Sequence, residues 1–532
     1  MGNLLPLLLA MAMGRCGLAD THYAADPRAN PDVNPVYPFT TPDTAAFSLF
    51  EALDVAEAGD IVIALRGAYG SLGATYTLKN GVDLVGSGSD LTTMLAGLRV
   101  GPGSMVSGFR FEDCSVNMTG GALISHCVFD GARIYVYGTG TVQRCAFVRA
   151  PAEPSRAAIE AQYGMGPSIL DCVFELDAQA CAIRLYLGEQ PTVVRCRFAG
   201  CGVGVDWLGG WPGGRVTNCL FVGNREGIRM NASRVAVANC TFFGNEYAVS
   251  VTDQCDEGPR IESSILWGNE EADIFLEESD GFGIPRVAFS NVERPYPGRG
   301  NISVRPRFIW PYWPGGDFHL LASSPCIDAG DPFSDYSNEP EPNGGRVNMG
   351  AYGNTWEATT SELVDTDADY MRDDWEIEHF GNLDQDGFGD ADDEGLSDLE
   401  EYRYLTDPHK PDTDGDGVPD GEEVLVHGTD PILADTDNDG APDGKEVAQG
   451  TDPLDPWDAF TIIKFWIEDD KIHVVHPVQP GYWFELESSL WPNGPFGGLS
   501  SEWQGRWGVT AHTFTADLNP HTHFFRIKAR PY

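Results

Sequence analysis

Basic side chains are scarce in this chain. Its 532 residues include 34 lysines and arginines against 80 aspartates and glutamates, which gives a net charge of -46. Nucleic-acid binding needs clustered basic residues, so we exclude nucleic acid as a partner. Long apolar runs are also missing, because no internal run reaches the length of a transmembrane helix. We therefore expect no transmembrane segment.

The N-terminus carries a short apolar stretch at residues 4–13, followed by Gly-Leu-Ala at 17–19, a passable cleavage site. Residues 1–19 therefore predict a secretory signal peptide, although no basic residue precedes the stretch and Pro6 interrupts it. A lipid anchor on Cys16 is less well supported, because a bulky arginine precedes that cysteine. We expect a secreted, extracellular or cell-surface protein.

Four acidic loops of one pattern lie towards the C-terminus. Each reads Asp-x-Asp-x-(Asp or Glu)-x-x-x-Asp-x-x-Glu. Carboxylates at loop positions 1, 3, 5, 9 and 12 can surround one hard cation, and glycine at position 6 permits the sharp turn. The pattern predicts Ca²⁺ as a cofactor. The candidate ligands are Asp365, Asp367, Asp369, Asp373 and Glu376; Asp390, Asp392, Glu394, Asp398 and Glu401; Asp412, Asp414, Asp416, Asp420 and Glu423; and Asp435, Asp437, Asp439, Asp443 and Glu446.

The four loops are not equivalent. Loops two to four carry the glycine, at Gly395, Gly417 and Gly440, whereas the first loop has Tyr370 there and should bind more weakly or not at all. A plain acidic linker is the alternative, but it would not keep five carboxylates in register over four copies. Without a cation this segment should be expanded by self-repulsion, so calcium binding and folding should be coupled.

The stretches that follow the loops repeat as well. Thr-Asp-Pro occurs at residues 406–408, and Gly-Thr-Asp-Pro occurs at 428–431 and 450–453. Residues 365–456 resemble the bacterial thrombospondin type 3 repeat array. The resemblance implies a calcium-stiffened spacer in a secreted protein, and it implies no reaction.

A second repeat, apolar-x-x-Cys-x-Phe, recurs nine times between residues 100 and 295, imperfectly and at intervals of 18 to 27 residues. Internal periods of this size predict a solenoid. Cysteine and phenylalanine two residues apart share a strand face, so six cysteines should stack as an inward ladder beside the phenylalanines. The ladder cysteines are Cys127, Cys145, Cys172, Cys196, Cys219 and Cys240.

A second alternating strand follows each copy after a turn, and no helical spacing intervenes. The coils should therefore stack as a parallel β-helix. Residues 80–310 resemble the right-handed β-helix family that includes pectate lyases and polygalacturonases. This resemblance implies a fold and says little about activity.

The cysteines allow two interpretations. A secreted chain can use them as a disulfide framework, or they can be buried free thiols. We favour thiols, because ladder positions about 4.8 Å apart with parallel side chains are wider than the Cβ separation of a disulfide. Cys181, Cys201, Cys255 and Cys326 lie off the ladder, and their pairing stays open.

The predicted fold class is all-β: a right-handed parallel β-helix with an N-terminal capping helix, a calcium-loop array and a small C-terminal β-sandwich. The capping helix is predicted within residues 44–58, with Phe47, Phe50 and Leu53 on one face. The predicted divisions are 1–19 signal peptide, 20–99 N-terminal cap and first coils, 100–310 β-helix, 311–364 closing segment, 365–458 calcium repeats and 459–532 C-terminal module.

One outer face of the β-helix is a candidate binding or catalytic surface. Aromatic rings stack on sugars, and arginine can hold a uronate carboxylate in two hydrogen bonds. The alignment of second strands predicts one outward column of Tyr135, Glu160, Arg184, Gly204, Arg229 and Ser250, and a next column of Tyr137, Gln162, Tyr186, Asp206, Asn231 and Thr252. The candidate glycan-binding residues are Tyr135, Tyr137, Tyr186 and Trp207.

The candidate catalytic residues are Glu160, Arg184, Asp206 and Arg229. The two acids would lie two coils apart, about 10 Å, close to the carboxyl separation of an inverting glycosidase. Against catalysis, an outward Glu160 beside Arg184 also suits a surface ion pair. The paired aspartates of polygalacturonases and the clustered aspartate calcium site of pectate lyases are missing from these coils.

We therefore predict a secreted or cell-surface calcium-binding β-helix protein. It should bind an extracellular polysaccharide or a cell-surface component, with the calcium repeats as a stiffened spacer. The alternative is a carbohydrate-active enzyme, namely a polysaccharide lyase, a glycoside hydrolase or an epimerase.

Overall fold

The computed structural model describes residues 19–454, with interruptions at 152–156, 163, 187, 209–212, 232–234, 252–257, 277–283, 312–314, 362–365, 368, 370, 372, 437–440 and 450. Beyond residue 454 it describes only the backbone of the strands. Several sequence predictions fall outside the described residues. They concern the signal peptide, Thr252, Cys255, Asp365, Tyr370, Asp437, Asp439 and Gly440. Within the described part of the chain, no helix is both long and apolar enough to cross a membrane.

Three parallel sheets form the body of the molecule, with 12, 11 and 10 strands. We call them sheets A, B and C. Each coil contributes one strand to each sheet in the order A, B, C, and each strand pairs with its equivalent one coil away. The predicted parallel β-solenoid is confirmed.

The strands of sheet A are Thr21–Ala24, Ile61–Ala64, Asp83–Gly86, Met105–Ser107, Ala122–Ser125, Gly140–Gln143, Ser168–Leu170, Thr192–Val194, Arg215–Thr217, Ala236–Ala238, Arg260–Glu262 and Arg286–Ala288. Those of sheet B are Gly67–Tyr69, Thr92–Met94, Arg110–Glu112, Val128–Asp130, Ala146–Arg149, Val173–Glu175, Arg197–Ala199, Leu220–Val222, Thr241–Phe243, Ile265–Trp267 and Asn291–Val292. Those of sheet C are Thr75–Leu78, Gly97–Val100, Ser115–Thr119, Arg133–Tyr137, Ala157–Gln162, Cys181–Tyr186, Val203–Leu208, Glu226–Asn231, Tyr247–Val251 and Ala272–Leu276. A short parallel pair, Gly164–Met165 with Gly188–Glu189, lies beside them.

A continuous stack of phenylalanines fills the interior. Successive rings from Phe111 to Phe242 lie 4.6 to 5.0 Å apart and within 12° of parallel. The stack leaves no room for a side chain opposite it in some coils. A Cβ atom on Gly204 would lie 2.9 Å from the Phe221 ring, and one on Gly227 would lie 2.8 Å from Phe242. Packing of offset parallel rings of this kind stabilises the core.

The ladder cysteines are buried and inward, as predicted, but they stand at the turn from sheet A to sheet B and not within a strand. The residue before each has a positive φ, for example 52° at His126 and 51° at Arg144. Each thiol then donates to the carbonyl two residues earlier, at 3.2 Å for Cys127 and 3.3 Å for Cys145. The ten cysteines of the described residues are all free thiols.

An α-helix, Leu49–Val55, packs against the first coil. It is shorter than predicted, because Ser48 caps its first turn through its side chain. Leu49, Ala52 and Leu53 are its buried residues, whereas Phe47 and Phe50 are 49% and 67% exposed. The predicted apolar face was therefore wrong for both phenylalanines, and its role as a cap stays a prediction.

The closing segment packs on the outer side of sheet B. It contains the antiparallel pair Phe308–Trp310 and Asp317–Leu320, followed by irregular chain to residue 361. Phe318, Cys326 and Met349 form one buried cluster with Leu220 and Ile265 of sheet B. The segment therefore covers the last coils of the β-helix along one side.

The acidic repeats consist of turns and short helices. Their helices are Asp373–His379, Asp398–Tyr404, Asp420–Glu422 with a π-helical continuation Glu423–His427, and Asp443–Gln449. Outside the repeats, a short 3-10 helix, Pro42–Thr44, lies near the N-terminus. The C-terminal module contains two antiparallel sheets. Lys464–Glu468, Lys471–Pro477 and Ala511–Asp517 form one sheet, and Tyr482–Ser489 pairs with Gly497–Gly498, Trp503–Gln504 and Phe524–Pro531 in the other.

Candidate functional site

Each acidic loop leads directly into a short helix, and this local arrangement positions its carboxylates. The aspartate at position 9 is the first helical residue. In the third loop, its side chain accepts from both the backbone N–H and the hydroxyl of Thr413, at 2.8 and 2.6 Å. Thr366 and Thr436 hold Asp373 and Asp443 in the same way. The position 9 carboxylate therefore holds the two ends of the loop together through these hydrogen bonds, in addition to being a candidate calcium ligand.

The glutamate at position 12 lies one helical turn further on and is buried in all four loops. Glu376, Glu401 and Glu423 have no exposed surface, and Glu446 is 1% exposed. Both carboxylate oxygens of Glu401, and Oε2 of Glu423, have no hydrogen-bond partner among the described residues. An unpaired buried carboxylate is costly, so these oxygens call for a positive charge.

Further buried carboxylate oxygens in loops two and three share this property. They belong to Asp392, Asp398 and Asp414, and none has a hydrogen-bond partner within the described structure. Burial, followed by neighbouring carboxylates, raises the pKa of Asp414 to about 7. The same two causes raise the pKa values of Glu401 and Glu423 to about 9 each. A divalent cation supplies the missing charge and favours the ionised form of each group.

The structure also brings carboxylates of one loop together. Oxygens of three residues lie within 4.8 Å of one another in each of three loops: Asp367, Asp369 and Glu376; Asp390, Asp392 and Glu394; and Asp412, Asp414 and Asp416. Several carboxylate oxygens around one point are the ligand set that Ca²⁺ prefers. Of the candidate ligands in the fourth loop, only Asp435, Asp443 and Glu446 lie among the residues that the structure describes. The weaker affinity predicted for the first loop stays a prediction.

Position 1 and the glycine at position 6 shape the turn. Asp390 accepts the backbone N–H groups of Glu394 and Gly395, each at 3.1 Å. Asp412 accepts the N–H of Gly417 at 3.1 Å. The φ angles of Gly395 and Gly417 are 110° and 105°, a region that side chains rarely allow. The glycine of the motif is therefore required by the backbone.

Successive loops are connected through position 5. The Glu394 carboxylate accepts the backbone N–H of Gly421 in the next loop. In the same way Asp416 accepts the N–H of Gly444 in the loop after that. Because a candidate calcium ligand of one loop holds the backbone of the next, a cation in one loop should order its neighbour.

The array also contacts the end of the β-helix and the closing segment, and no sequence pattern predicted these contacts. The Arg299 guanidinium lies 4.1 Å from the ring centre of Tyr404, a cation–π contact. The backbone N–H of Gly300 donates to Asp430 at 3.1 Å, and Arg346 donates to the carbonyl of Arg403 at 3.2 Å. Tyr404 ends the helix that carries Glu401, so the second loop is joined directly to this end.

The outer face of sheet C is the second candidate site, and its register differs from the predicted one. Asp206, not Gly204, pairs with Arg184 and Arg229 in neighbouring coils. Gly204 lies inside against the phenylalanine stack. A glycine has no side chain to show which face it occupies, so the sequence alignment slipped by two residues. The column is Tyr135, Glu160, Arg184, Asp206, Arg229, Ser250 and Phe275.

The charged members of this column form a ladder of ion pairs between coils. Asp206 accepts from Arg184 Nε at 2.8 Å and from Arg229 Nε and Nη2 at 3.0 and 2.9 Å. Glu160 lies 3.9 Å from Arg184. Asp206 is 1% exposed and Glu160 is 3% exposed. All four candidate catalytic residues therefore come together as a mutually paired set, in which the two acids are buried and the two arginines are partly exposed.

The predicted glycan-binding residues are divided between the two sides of sheet C. Tyr137 is 43% exposed, and Tyr135 and Tyr186 are partly exposed. Trp207 is only 5% exposed and belongs to the main core. It pairs with Leu185 and Met230 on the inward side, because successive side chains of a strand point to opposite faces. The assignment of Trp207 to a glycan surface was therefore wrong.

Two family models match the chain. The model of the right handed beta helix region matches residues 107–284, and the bacterial TSP3 repeat model matches residues 412–434 and 435–456. The chain is a right-handed β-helix protein with bacterial TSP3 repeats. The two TSP3 matches begin at the third and fourth acidic loops, and repeats of this kind typically bind calcium.

Comparison with individual proteins adds less. No curated protein matches the chain. A solved rhamnogalacturonan lyase is similar in structure, with a TM-score of 0.32 and 12% sequence identity, over 68% of this chain and 99% of that chain. A similarity of this size carries no conclusion about activity.

Proposed function

We propose that this β-helix protein acts outside the cell as a calcium-dependent binding protein. Its TSP3 repeats hold Ca²⁺, and its β-helix binds a polysaccharide or another cell-surface component. The observation that carries the calcium part is the set of buried carboxylate oxygens without hydrogen-bond partners in Asp392, Asp398, Glu401, Asp414 and Glu423. A fold that buries these oxygens needs a cation beside them.

The residues that would hold calcium are those of the loop pattern. In the second loop they are Asp390, Asp392, Glu394 and Glu401, and the third loop offers the equivalent acids. Bound calcium would supply the positive charge that balances these negative carboxylates. The chain itself supplies the turn at glycine, the buried glutamate on the helix and the bonds between loops, so folding and cation binding stabilise each other.

The array then spaces the C-terminal module from the β-helix, and its middle part is anchored. Contacts of Arg299, Gly300 and Arg346 hold the second and third repeats against the β-helix. We therefore propose a spacer whose middle part is held in place by side-chain and backbone contacts.

The partner of sheet C is proposed to be a neutral polysaccharide. Arg184 and Arg229 are already held by Asp206, so neither offers a free guanidinium pair to a uronate. Within the column two carboxylates, Glu160 and Asp206, face two guanidiniums, so the column carries no excess positive charge for an anionic sugar. Tyr137 and its partly exposed neighbours offer ring faces, which bind sugars without needing charge on the ligand.

The test is retention of the full chain on native gels containing neutral or uronate polysaccharides, with calcium present. We expect retention by a neutral glycan, and loss of retention in Tyr137→Ala. Tyr37→Ala is the control, because Tyr37 is 71% exposed outside the sheet. Release of reducing ends or of unsaturated uronate in the same samples would instead assign a carbohydrate-active enzyme, and absence of retention on every glycan would reject the polysaccharide.

A further inference from the structure

A groove runs along the edge where sheet A turns into sheet B in the early coils. It encloses a volume of about 390 Å³. Its floor is formed by Val128, Ala146 and Val173, the first residues of three sheet B strands. One rim is the loop around Ser87 to Ser89, and the other is the row of turn residues that includes His126. We call this feature the A–B groove.

The same edge is covered in the later coils by the chain's own closing segment. The floor column continues from Val173 through Arg197 to Leu220, Thr241 and Ile265. Leu220 and Ile265 are buried by the closing segment and are 7% and 0% exposed. Val173, in the uncovered part, is 37% exposed. This column, apolar except at Arg197 and Thr241, is thus packed against peptide at one end and open at the other.

The turn residues of the edge hold that segment by hydrogen bonds. Asn218 Nδ2 donates to the carbonyl oxygens of Ala351 and Gly353, at 3.2 and 2.7 Å. Asn239 Nδ2 donates to the carbonyl of Asn348 at 3.0 Å. Both asparagines have positive φ angles of 53° and 48°, which direct their side chains in the same way in each coil.

The uncovered coils repeat this arrangement with other donors. His126 and Arg144 occupy the same turn position, with φ angles of 52° and 51°. Nδ1 of His126 is buried and has no hydrogen-bond partner among the described residues. The next turn residue, Asp171, is already held by Arg195 at 2.6 Å. The groove therefore presents the donors and the positive charge of Arg144, which is exposed, above an apolar floor.

We propose that the A–B groove binds an extended, acidic peptide segment of a partner protein. The peptide would continue along the edge that the closing segment already occupies, with its main-chain carbonyls or carboxylates towards Arg144. From Gly108 to Arg195 the edge spans four coil steps of about 4.8 Å, or about 19 Å, which suits about six extended residues. The mode combines hydrogen bonds to main chain with an apolar contact, as in other peptide grooves.

The choice of an acidic partner follows from local charge. In a chain of net charge -46, the groove rim carries the positive charge of Arg144, while its aspartate is neutralised by Arg195. Burial, together with Arg144, lowers the pKa of His126, so the imidazole adds no charge. Electrostatic complementarity of this kind sets which partner binds and how fast. A basic peptide would meet the same positive rim and be repelled.

The test uses the full chain with calcium and three labelled probes, measured by fluorescence anisotropy. They are a nine-residue peptide with three aspartates among glycine, alanine and valine, the same peptide with lysine for aspartate, and trigalacturonate. We expect the acidic peptide to bind, and Arg144→Asp to weaken it at least tenfold. Aspartate tolerates the positive φ angle of residue 144, so the fold should persist.

Arg215→Asp is the matched control, because Arg215 is exposed on sheet A outside the groove, and it should leave binding unchanged. Equal weakening by both variants would reduce the effect to overall charge and overturn the proposal. Absence of acidic-peptide binding would also overturn it, and tighter binding of trigalacturonate with the same Arg144 dependence would assign the groove to an anionic sugar. Because sheet C is not involved, this outcome is independent of the glycan test for Tyr137.

Discussion

Asp206 and Arg229 form a two-point ion pair between neighbouring coils of sheet C, with Nε 3.0 Å from Oδ1 and Nη2 2.9 Å from Oδ2. Arg184 approaches the same carboxylate from the other side at 2.8 Å. The carboxylate is therefore the common partner of two guanidiniums, and it is 1% exposed. Asp206 therefore stabilises the stacking of neighbouring coils, and this structural role does not depend on which ligand the outer face of sheet C binds.

We expect Asp206→Asn to destabilise the β-helix by about 2 to 3 kcal/mol, because it leaves two guanidiniums close together without a compensating charge. Urea unfolding of the full chain in calcium measures this effect. Asp171→Asn is the matched control, since its partner Arg195 is 52% exposed, and such pairs contribute about 0 to 1 kcal/mol. Equal effects of the two substitutions would show that the buried pair has no special role.

The phenylalanine stack should dominate the stability of the coils. Phe174 lies between Phe147 and Phe198, with ring centres 4.6 and 4.9 Å away. We expect Phe174→Ala to cost about 3 to 5 kcal/mol in unfolding free energy, since it leaves a cavity and interrupts the stack. Val148→Ala, at a position 42% exposed on the same sheet, should change it by less than about 0.5 kcal/mol. A loss below about 1 kcal/mol for Phe174→Ala would contradict the stacked core.

Calcium should control the contact between the array and the β-helix. The N–H of Gly300 donates to Asp430, and the Tyr404 ring lies on Arg299. Chelation should release both contacts and accelerate amide hydrogen exchange around residue 300. The amide of Val173, which donates to Cys145 between two coils, serves as the reference and should stay protected. If exchange at residue 300 is the same with and without calcium, docking does not depend on the cation.

Glu339 in the closing segment should give the chain a specific pH dependence. Burial raises its pKa to about 7 from the usual 4.5, so between these values the folded chain binds more protons at this group than the unfolded chain. Its contribution to unfolding free energy therefore falls as pH rises through that window, by at most about 1.4 kcal/mol per pH unit, and is constant above it.

Glu339→Gln should remove this slope, measured as the difference between variant and parent from pH 4.5 to 7 at saturating calcium. Glu357→Gln, an exposed position nearby, should leave the slope unchanged. A difference that does not vary with pH would show that Glu339 is ionised at the same pH in the folded and unfolded chain.

Most of the fold could be predicted from the repeat pattern, because every coil buries the same face of its strands. The cysteine and phenylalanine positions were predicted correctly as inward, although the cysteines stand at turns that no pattern marked. The column on sheet C was misaligned at Gly204, because a glycine has no side chain to show which face it occupies. Trp207 was placed on the wrong side of the sheet, because an aromatic ring suits a core as well as a sugar-binding surface. The apolar face of the first helix was predicted wrongly for two reasons. Ser48 caps the helix after Phe47, and the buried face is formed by Leu49, Ala52 and Leu53, which leaves Phe50 exposed.

Contacts between distant segments had no sequence signal. The Arg299–Tyr404 contact and the hydrogen bonds of Asn218 to the closing segment join residues more than 100 positions apart. They depend on how the coils stack and where the chain returns. The acidic loops could be predicted from the sequence, because the spacing of their acidic residues alone determines which carboxylates converge.

The most direct measurement is calorimetric titration of the full chain with calcium, for the parent, Glu423→Gln and Glu422→Gln. The two substitutions remove the same charge one residue apart, but Glu423 is fully buried in the loop and the side chain of Glu422 is 50% exposed. We expect saturable calcium binding by the parent and by Glu422→Gln, and loss of at least one site in Glu423→Gln. Binding that is absent in the parent, or identical in all three proteins, would contradict calcium-dependent folding of the repeats.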